Sequence, residues 1–143
     1  MSTVSLFTQY ETDHAKEQNG VWVYPTGIED DSAPAFLIAR MGPMNQKYQK
    51  TLERVTRPYK RLLAMNALPN EKADEIMQQV FVQSILLDWR NVTDKSGKTV
   101  SFSAENAMTF FKLLPDLYFE LQQQAQTASL FRVDEAEAVA KNS

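Results

Sequence analysis

Few side chains in this sequence are of the kinds that do chemistry, and their positions narrow the field quickly. The single histidine, His14, sits in a polar, weakly patterned stretch, so neither a Ser-His-Asp arrangement nor a cluster of imidazole ligands is expected. There is no cysteine, which excludes disulfides, thiolate metal sites and thiol nucleophiles together and suits a reducing cytoplasm. Glu29-Asp30-Asp31 could gather a divalent cation, but the oxygen-rich alternation and central glycine of a calcium loop are missing, and the run reads as a solvated loop. Asp88 and Asp94 flank Trp89, a pairing common on surfaces that becomes acid–base machinery only with the right geometry. The four glycines stand singly at turns, so no loop is built to cradle phosphate. The expectation is a protein without catalytic residues, bound metal or cofactor.

Charge is the sharper signal. Between Arg40 and Arg61 there are seven basic residues and one acid, Glu53, which leaves eight basic and seventeen acidic residues elsewhere and a net charge of −3. Lys47, Lys50, Arg54, Arg57 and Arg61 recur at intervals of three and four, a stripe along one side of a helix. Such a stripe is a solubilising surface, a contact for an acidic protein or for the chain's own acidic loops, or a contact for a nucleic-acid backbone. The net charge argues against the last. Phe119 falls off the apolar stripe of its helix and marks a candidate partner or self-association surface.

The elements that must position these residues follow from periodicity. With 43% apolar and 10% aromatic residues, a chain of 143 residues can bury a core in one domain, expected over 20–131 between a flexible arm (1–19) and a mobile tail (132–143). "GVWVYPTG" (20–27) and "AFLIARMG" (35–42) read as short strands pairing around the acidic loop. Tyr48, Leu52, Val55, Tyr59 and Leu62 lie on one helix face, with a kink expected at Pro58. A second helix is expected to start with Asn70 as its cap and to carry an apolar stripe from Ala73 through Leu87 and Trp89. "NVTDKSGKTVSFS" reads as a tight hairpin turning at Asp94 to Gly97, after which Ser103 caps a last helix kinked at Pro115. This is an α+β chain, mainly α, with a small N-terminal β element, three to four amphipathic helices (two of them Pro-kinked) and a β-hairpin between the last two long ones. The hairpin reverses the chain so that both apolar stripes close on one core. No stretch approaches eighteen apolar residues, so no membrane span is expected.

The segment "ILLDWRNVTDKSGKTVSFSAENAMTFFKLLPDLYFELQQQAQTASLF" (85–131) resembles the tail assembly chaperones of long-tailed bacteriophages. The resemblance rests on an ordered set: Leu86, Trp89 to Asp94, Gly97, Val100 with Phe102 and Ser103, Glu105 to Ala107, and Leu114 to Leu117. Upstream, "AFLIARMGPMNQKYQKTLERV" is similar to that family's strand followed by a basic helix, which extends the likeness to residues 35–131. It implies a small non-enzymatic protein of the host bacterial cytoplasm, made during virion morphogenesis and absent from the mature virion. Such a protein binds the tape measure protein, keeps its apolar helices soluble and recruits the tail tube protein. Many phages of that family also make a longer form by frameshifting, and the resemblance implies that this chain would correspond to the short form. On that reading Lys47, Lys50, Arg54, Arg57, Arg61 and Phe119 are the partner-binding residues, and Trp89, Asn91, Asp94, Gly97 and Ser103 a structural junction. The competing reading is a small nucleic-acid-binding regulator that uses the basic helix 47–61.

Overall fold

A computed structural model describes residues 5–133 of the chain. In chain order the elements are α1 (Leu6–Tyr10), α2 (His14–Asn19), β1 (Val21–Val23), β2 (Ala35–Ile38), α3 (Gln46–Thr56), a 3-10 turn (Arg57–Tyr59), α4 (Lys60–Ala64), α5 (Asn70–Ser84), β3 (Leu86–Arg90), α6 (Ala104–Leu113), α7 (Pro115–Ala125) and a second 3-10 turn (Ala128–Phe131). The fold is α+β and mainly α, as the periodicities imply.

The strands form one antiparallel sheet in the order β1-β2-β3. The hairpin expected around the acidic loop is present, with Val21 opposite Ile38 and Val23 opposite Phe36, although both strands are shorter than the runs that suggested them. The third strand corrects the sequence reading. The apolar stripe of α5 does not continue through Leu87 and Trp89: the helix ends at Ser84, and Leu86–Arg90 pairs with β2, Phe36 lying opposite Trp89. Ser84 Oγ donates to the Val80 carbonyl at 2.6 Å, a local bond that competes with helix continuation. Beyond it Leu86 and Trp89 are buried while Asp88 and Arg90 are exposed. Ile85 and Trp89, four residues apart, also fit a helical stripe, so this short run carried both periods.

The tight hairpin expected between the last two long helices is present, in minimal form. Only Thr93 and Thr99 form a bridge, supported by the Asp94 amide on the Lys98 carbonyl (2.9 Å) and the Val100 amide on the Val92 carbonyl (2.9 Å). The extended chain before the turn is engaged by β2 instead. The prolines act where expected, and more strongly. Pro58 sits in the 3-10 turn that separates α3 from α4, and Pro115 begins α7 outright, so the last helix is two helices joined at Leu114 rather than one kinked rod. Pro69, not Asn70, occupies the cap position of α5.

The segment read as an arm is helical from Leu6, and α2 is tied down. Asp13 Oδ1 caps it by accepting from the Ala15 amide at 2.9 Å, and its Glu17 is buried. Thr12 bridges to Arg132, while the Asp13 amide reaches the Phe131 carbonyl at 2.7 Å, joining the two ends of the described chain. Beyond Val133, the expected mobile tail lies outside the described residues.

The main core gathers the inward faces of the sheet, α5, α6 and α7. Phe36 and Phe102 meet the Trp89 ring edge-on, at centroid distances of 6.0 and 5.3 Å, and Phe81, Phe111 and Tyr118 pack together below them. A smaller cluster, Val55 of α3 with Ile76 and Val80 of α5, is flanked by Tyr48, Leu52 and Tyr59. It fixes which side of α3 faces solvent. Leu62, expected on that same face, lies past the break at Pro58 and is exposed.

Candidate functional site

The basic stripe is positioned by its cap and its apolar face. Asn45 Oδ1 accepts from the Tyr48 amide at 3.0 Å while its Nδ2 donates to the Arg40 carbonyl at 2.9 Å, which starts α3 directly after the sheet. With Val55 buried against α5, the polar side of α3 turns outward, and Lys47, Lys50 and Arg54 are exposed along it. Arg57 falls in the 3-10 turn and Arg61 on α4, so the stripe bends at Pro58. Arg54 donates to Gln83 on α5, and Arg57 lies 3.3 Å from Glu53 in an exposed pair. Exposed pairs of that kind contribute about 0.5 kcal/mol or less. Among the described residues, Lys47, Lys50 and Arg61 have no carboxylate partner.

The Trp89–Ser103 segment is a junction built of local bonds. Trp89 is buried, and its indole Nε1 donates to the Val100 carbonyl at 2.9 Å, fastening β3 to the far side of the turn. Asn91 adopts a left-handed φ of 59°, and its side-chain amide donates to the carbonyls of Asp31 (2.8 Å) and Ala33 (2.9 Å), locking the acidic loop against the end of β3. Asp94 Oδ1 accepts from the Ser96 hydroxyl (2.6 Å), the Ser96 amide (2.9 Å) and the Lys98 amide (3.0 Å). Led by the Ser96 hydroxyl, these bonds hold the Asp94 carboxyl below its usual range. Gly97 completes the turn at φ 86°. Ser103 then caps α6, its Oγ accepting from the Asn106 amide at 3.0 Å. Asn106 returns a bond to the Ser101 carbonyl at 2.9 Å, taking the place a Glu or Gln holds in a capping box but with the opposite polarity.

Phe119 is 55% exposed, resting on Tyr118 at 5.5 Å between centroids. Leu113 and Leu114, at the break before Pro115, are exposed as well. Beside them opens a largely apolar cavity of about 430 Å³ lined by Val100, Phe110, Leu113 and Leu114, with Thr93, Asp94, Lys95, Asn106 and Thr109 on its polar side. Sequence reasoning marked Phe119 but missed the two leucines. Leu114 fits the helical stripe and is left exposed at the break before Pro115, whereas Leu113 lies off the face of α6 that buries Ala107 and Phe111.

One cluster was missed altogether. Glu17 accepts from Arg40 Nη1 at 2.8 Å and from the Thr12 hydroxyl at 2.9 Å, and His14 Nδ1 stands 3.1 Å from the same carboxylate. Burial raises the affinity of Glu17 for a proton, but Arg40 foremost, then Thr12 and His14, outweigh it and leave the carboxyl below its usual range. The Arg40 amide also donates to the Glu17 carbonyl at 3.0 Å, so the group clamps α2 to the end of β2. Asp13 ahead of "HAKEQN" and Gly20 is the helix signal that, read on its own, locates α2.

The acidic loop does not converge on a cation site. Asp30 accepts from the Ser32 amide and hydroxyl, and among the described residues no group of three carboxylate or imidazole side chains is arranged to hold a metal. Asp88 accepts from the Trp89 amide at 2.8 Å, and Asp94 is occupied by its turn, so each carboxylate serves local backbone. Among the described residues no helix is long and apolar enough to cross a membrane.

Comparison with curated proteins and with solved structures finds no match. The family described as YdaY prophage protein does match, over residues 43–142, from just ahead of α3 to the C-terminal segment. That span is well over half of the chain and holds the basic stripe, the junction and the apolar corner, all on elements of prophage origin. The chain belongs to the YdaY prophage protein family.

Proposed function

We propose that this prophage protein is a non-enzymatic tail assembly chaperone of the bacterial cytoplasm, one that sequesters apolar helices of a tape measure protein and helps bring in the tail tube protein. The observation that carries the reading is the apolar corner. Leu113 and Leu114 stand open to water on a largely apolar cavity of about 430 Å³, a size that takes the side chains of one amphipathic helix, and Phe119 is exposed on the helix that follows. Contiguous apolar surface of this kind marks a contact for another macromolecule. The exposed row Lys47, Lys50 and Arg54 supplies a second, charged contact that would orient a helix bearing acidic residues. The 85–131 segment, whose sequence resembles the tail chaperones, contains the corner and the junction that rigidifies it.

Co-expression with the long helical protein encoded nearby in the same prophage tests this. The chain should raise the soluble fraction of that protein. Leu113→Ser with Phe119→Ser should cut the yield about tenfold, while surface changes of this kind leave the variant's own stability within about 0.5 kcal/mol. A partner that stays insoluble beside the unaltered chain would remove the reading. Nucleic acid that co-purifies and washes off with salt would replace it with a regulator that uses helix 47–61.

A further inference from the structure

Helix α4 is closed by its own backbone. Pro58 introduces it through the 3-10 turn, and at its end the Ala67 amide donates to the Leu62 carbonyl (2.8 Å) and the Asn66 amide to the Leu63 carbonyl (3.1 Å). Asn66 takes a left-handed φ of 51°, so these are the paired bonds of a Schellman ending. The local closure holds a helix of five residues in place while much of its apolar surface, with that of Met65 just past its end, stays open to water: Leu62, Leu63 and Met65 are 41%, 48% and 66% exposed. Exposed Lys60 and Arg61 lie three and four residues past exposed Arg57, so the apolar tip is flanked by cations.

The loop between β1 and β2 carries the complement. Ile28 is exposed and is followed by exposed Glu29, Asp30 and Asp31. This loop is also held rigid. The Gly27 amide donates to the Tyr24 carbonyl at 2.9 Å, Asp30 accepts from the Ser32 amide and hydroxyl, and Asn91 clamps the carbonyls of Asp31 and Ala33. One apolar side chain followed by acids is therefore presented in fixed geometry, as three apolar side chains beside bases are presented on α4. Preorganised surfaces lose little freedom when they meet.

We propose that the α4 tip is a docking site for a second copy of this chain, which inserts its Ile28–Asp31 loop so that Ile28 covers Leu62, Leu63 and Met65 while Glu29 and Asp31 face Lys60 and Arg61. The proposal stands independently of the chaperone reading. Because tip and loop are different surfaces, the contact is heterologous: in a pair one copy keeps a free tip and the other a free loop, and growth proceeds to rings or open chains. The patch is small and its charges are exposed, so association is weak and screened by salt.

Sedimentation velocity on the full chain at rising concentration, in low and in high salt, tests it. The average mass should climb with concentration in low salt and fall back in high salt. Lys60→Glu with Arg61→Glu, or Glu29→Lys with Asp31→Lys, should each move the association curve to about tenfold higher concentration. An equimolar mixture of the two charge-reversed chains should recover association, because each then offers what the other lacks. Circular dichroism of the variants checks that the fold is kept. A chain that stays monomeric in low salt overturns the proposal, as does association indifferent to both reversals or a mixture that fails to recover it.

Discussion

Asn91 does two things that no other residue type does together: it occupies a left-handed backbone position, and its side-chain amide reaches two carbonyls of the acidic loop. Glycine keeps the first and loses the second, whereas alanine loses both. Left-handed backbone costs an L-residue with a Cβ roughly 1–2 kcal/mol. Asn91→Ala should therefore unfold at lower denaturant than Asn91→Gly by about 1 kcal/mol, with both below the unaltered chain; equal values for the two would assign the whole effect to the side-chain bonds. The residue was singled out from its place in the Trp89–Gly97 run, but its loop partners lie about sixty positions earlier and could not be read from spacing. Asp94 and Gly97 are the contrasting case. Their partners, Ser96 and Lys98, are adjacent in sequence, so the turn was legible from composition alone.

Among the elements, those set by local chemistry followed the sequence closely. Ser103 caps α6 as its position before the apolar stripe requires, and Ser103→Ala should lower stability by about 1 kcal/mol in a thermal or urea unfolding series. Asn106→Ala removes only the returning bond to the Ser101 carbonyl and should cost less. Pro58 and Pro115 divide helices at the places their geometry dictates. The elements that were misread are those chosen by a distant partner. Leu86–Arg90 has the spacing of a helix face and the alternation of a strand, and what decides between them is the open edge of β2, with Phe36 waiting opposite Trp89. Leu114 fits a continuous stripe and is exposed only because α7 departs at Pro115, while Leu113 lies off that stripe at the end of α6. At the candidate site, then, the basic row and Phe119 were visible in the sequence, while the leucines that accompany Phe119 needed the fold.

For the molecule as a whole, Tyr118 sits where α5, α6 and α7 meet, buried against Phe81 and Phe111. Its hydroxyl has no hydrogen-bond partner among the described residues. Burial, with smaller repulsions from Tyr48 and Asp74, pushes its pKa up to about 12, against an ordinary value of 10.0. The folded state thus holds the proton more tightly than the unfolded chain. The contribution is intact below pH 10 and is lost as pH rises from there through about 12. Unfolding free energy measured over that interval should fall, and Tyr118→Phe should flatten the decline. Removing a buried hydroxyl that lacks a partner should also leave stability at neutral pH unchanged or raise it by up to about 1 kcal/mol.

The sheet order β1-β2-β3 has a further consequence for how the chain comes into being. On a ribosome β1 and β2 emerge together, but β3 follows only after α3, α4 and α5 have been made, nearly fifty residues beyond β2. Until then the side of β2 that will receive it, with Phe36 and Ile38, is unpaired backbone beside apolar side chains, while α3 and α5 can already close on Val55, Ile76 and Val80. Nascent chains on one messenger, arriving in quick succession, each pass through this interval with the same open strand. The time taken to translate from Ile38 to Arg90 sets how long each stays vulnerable to pairing with its neighbour.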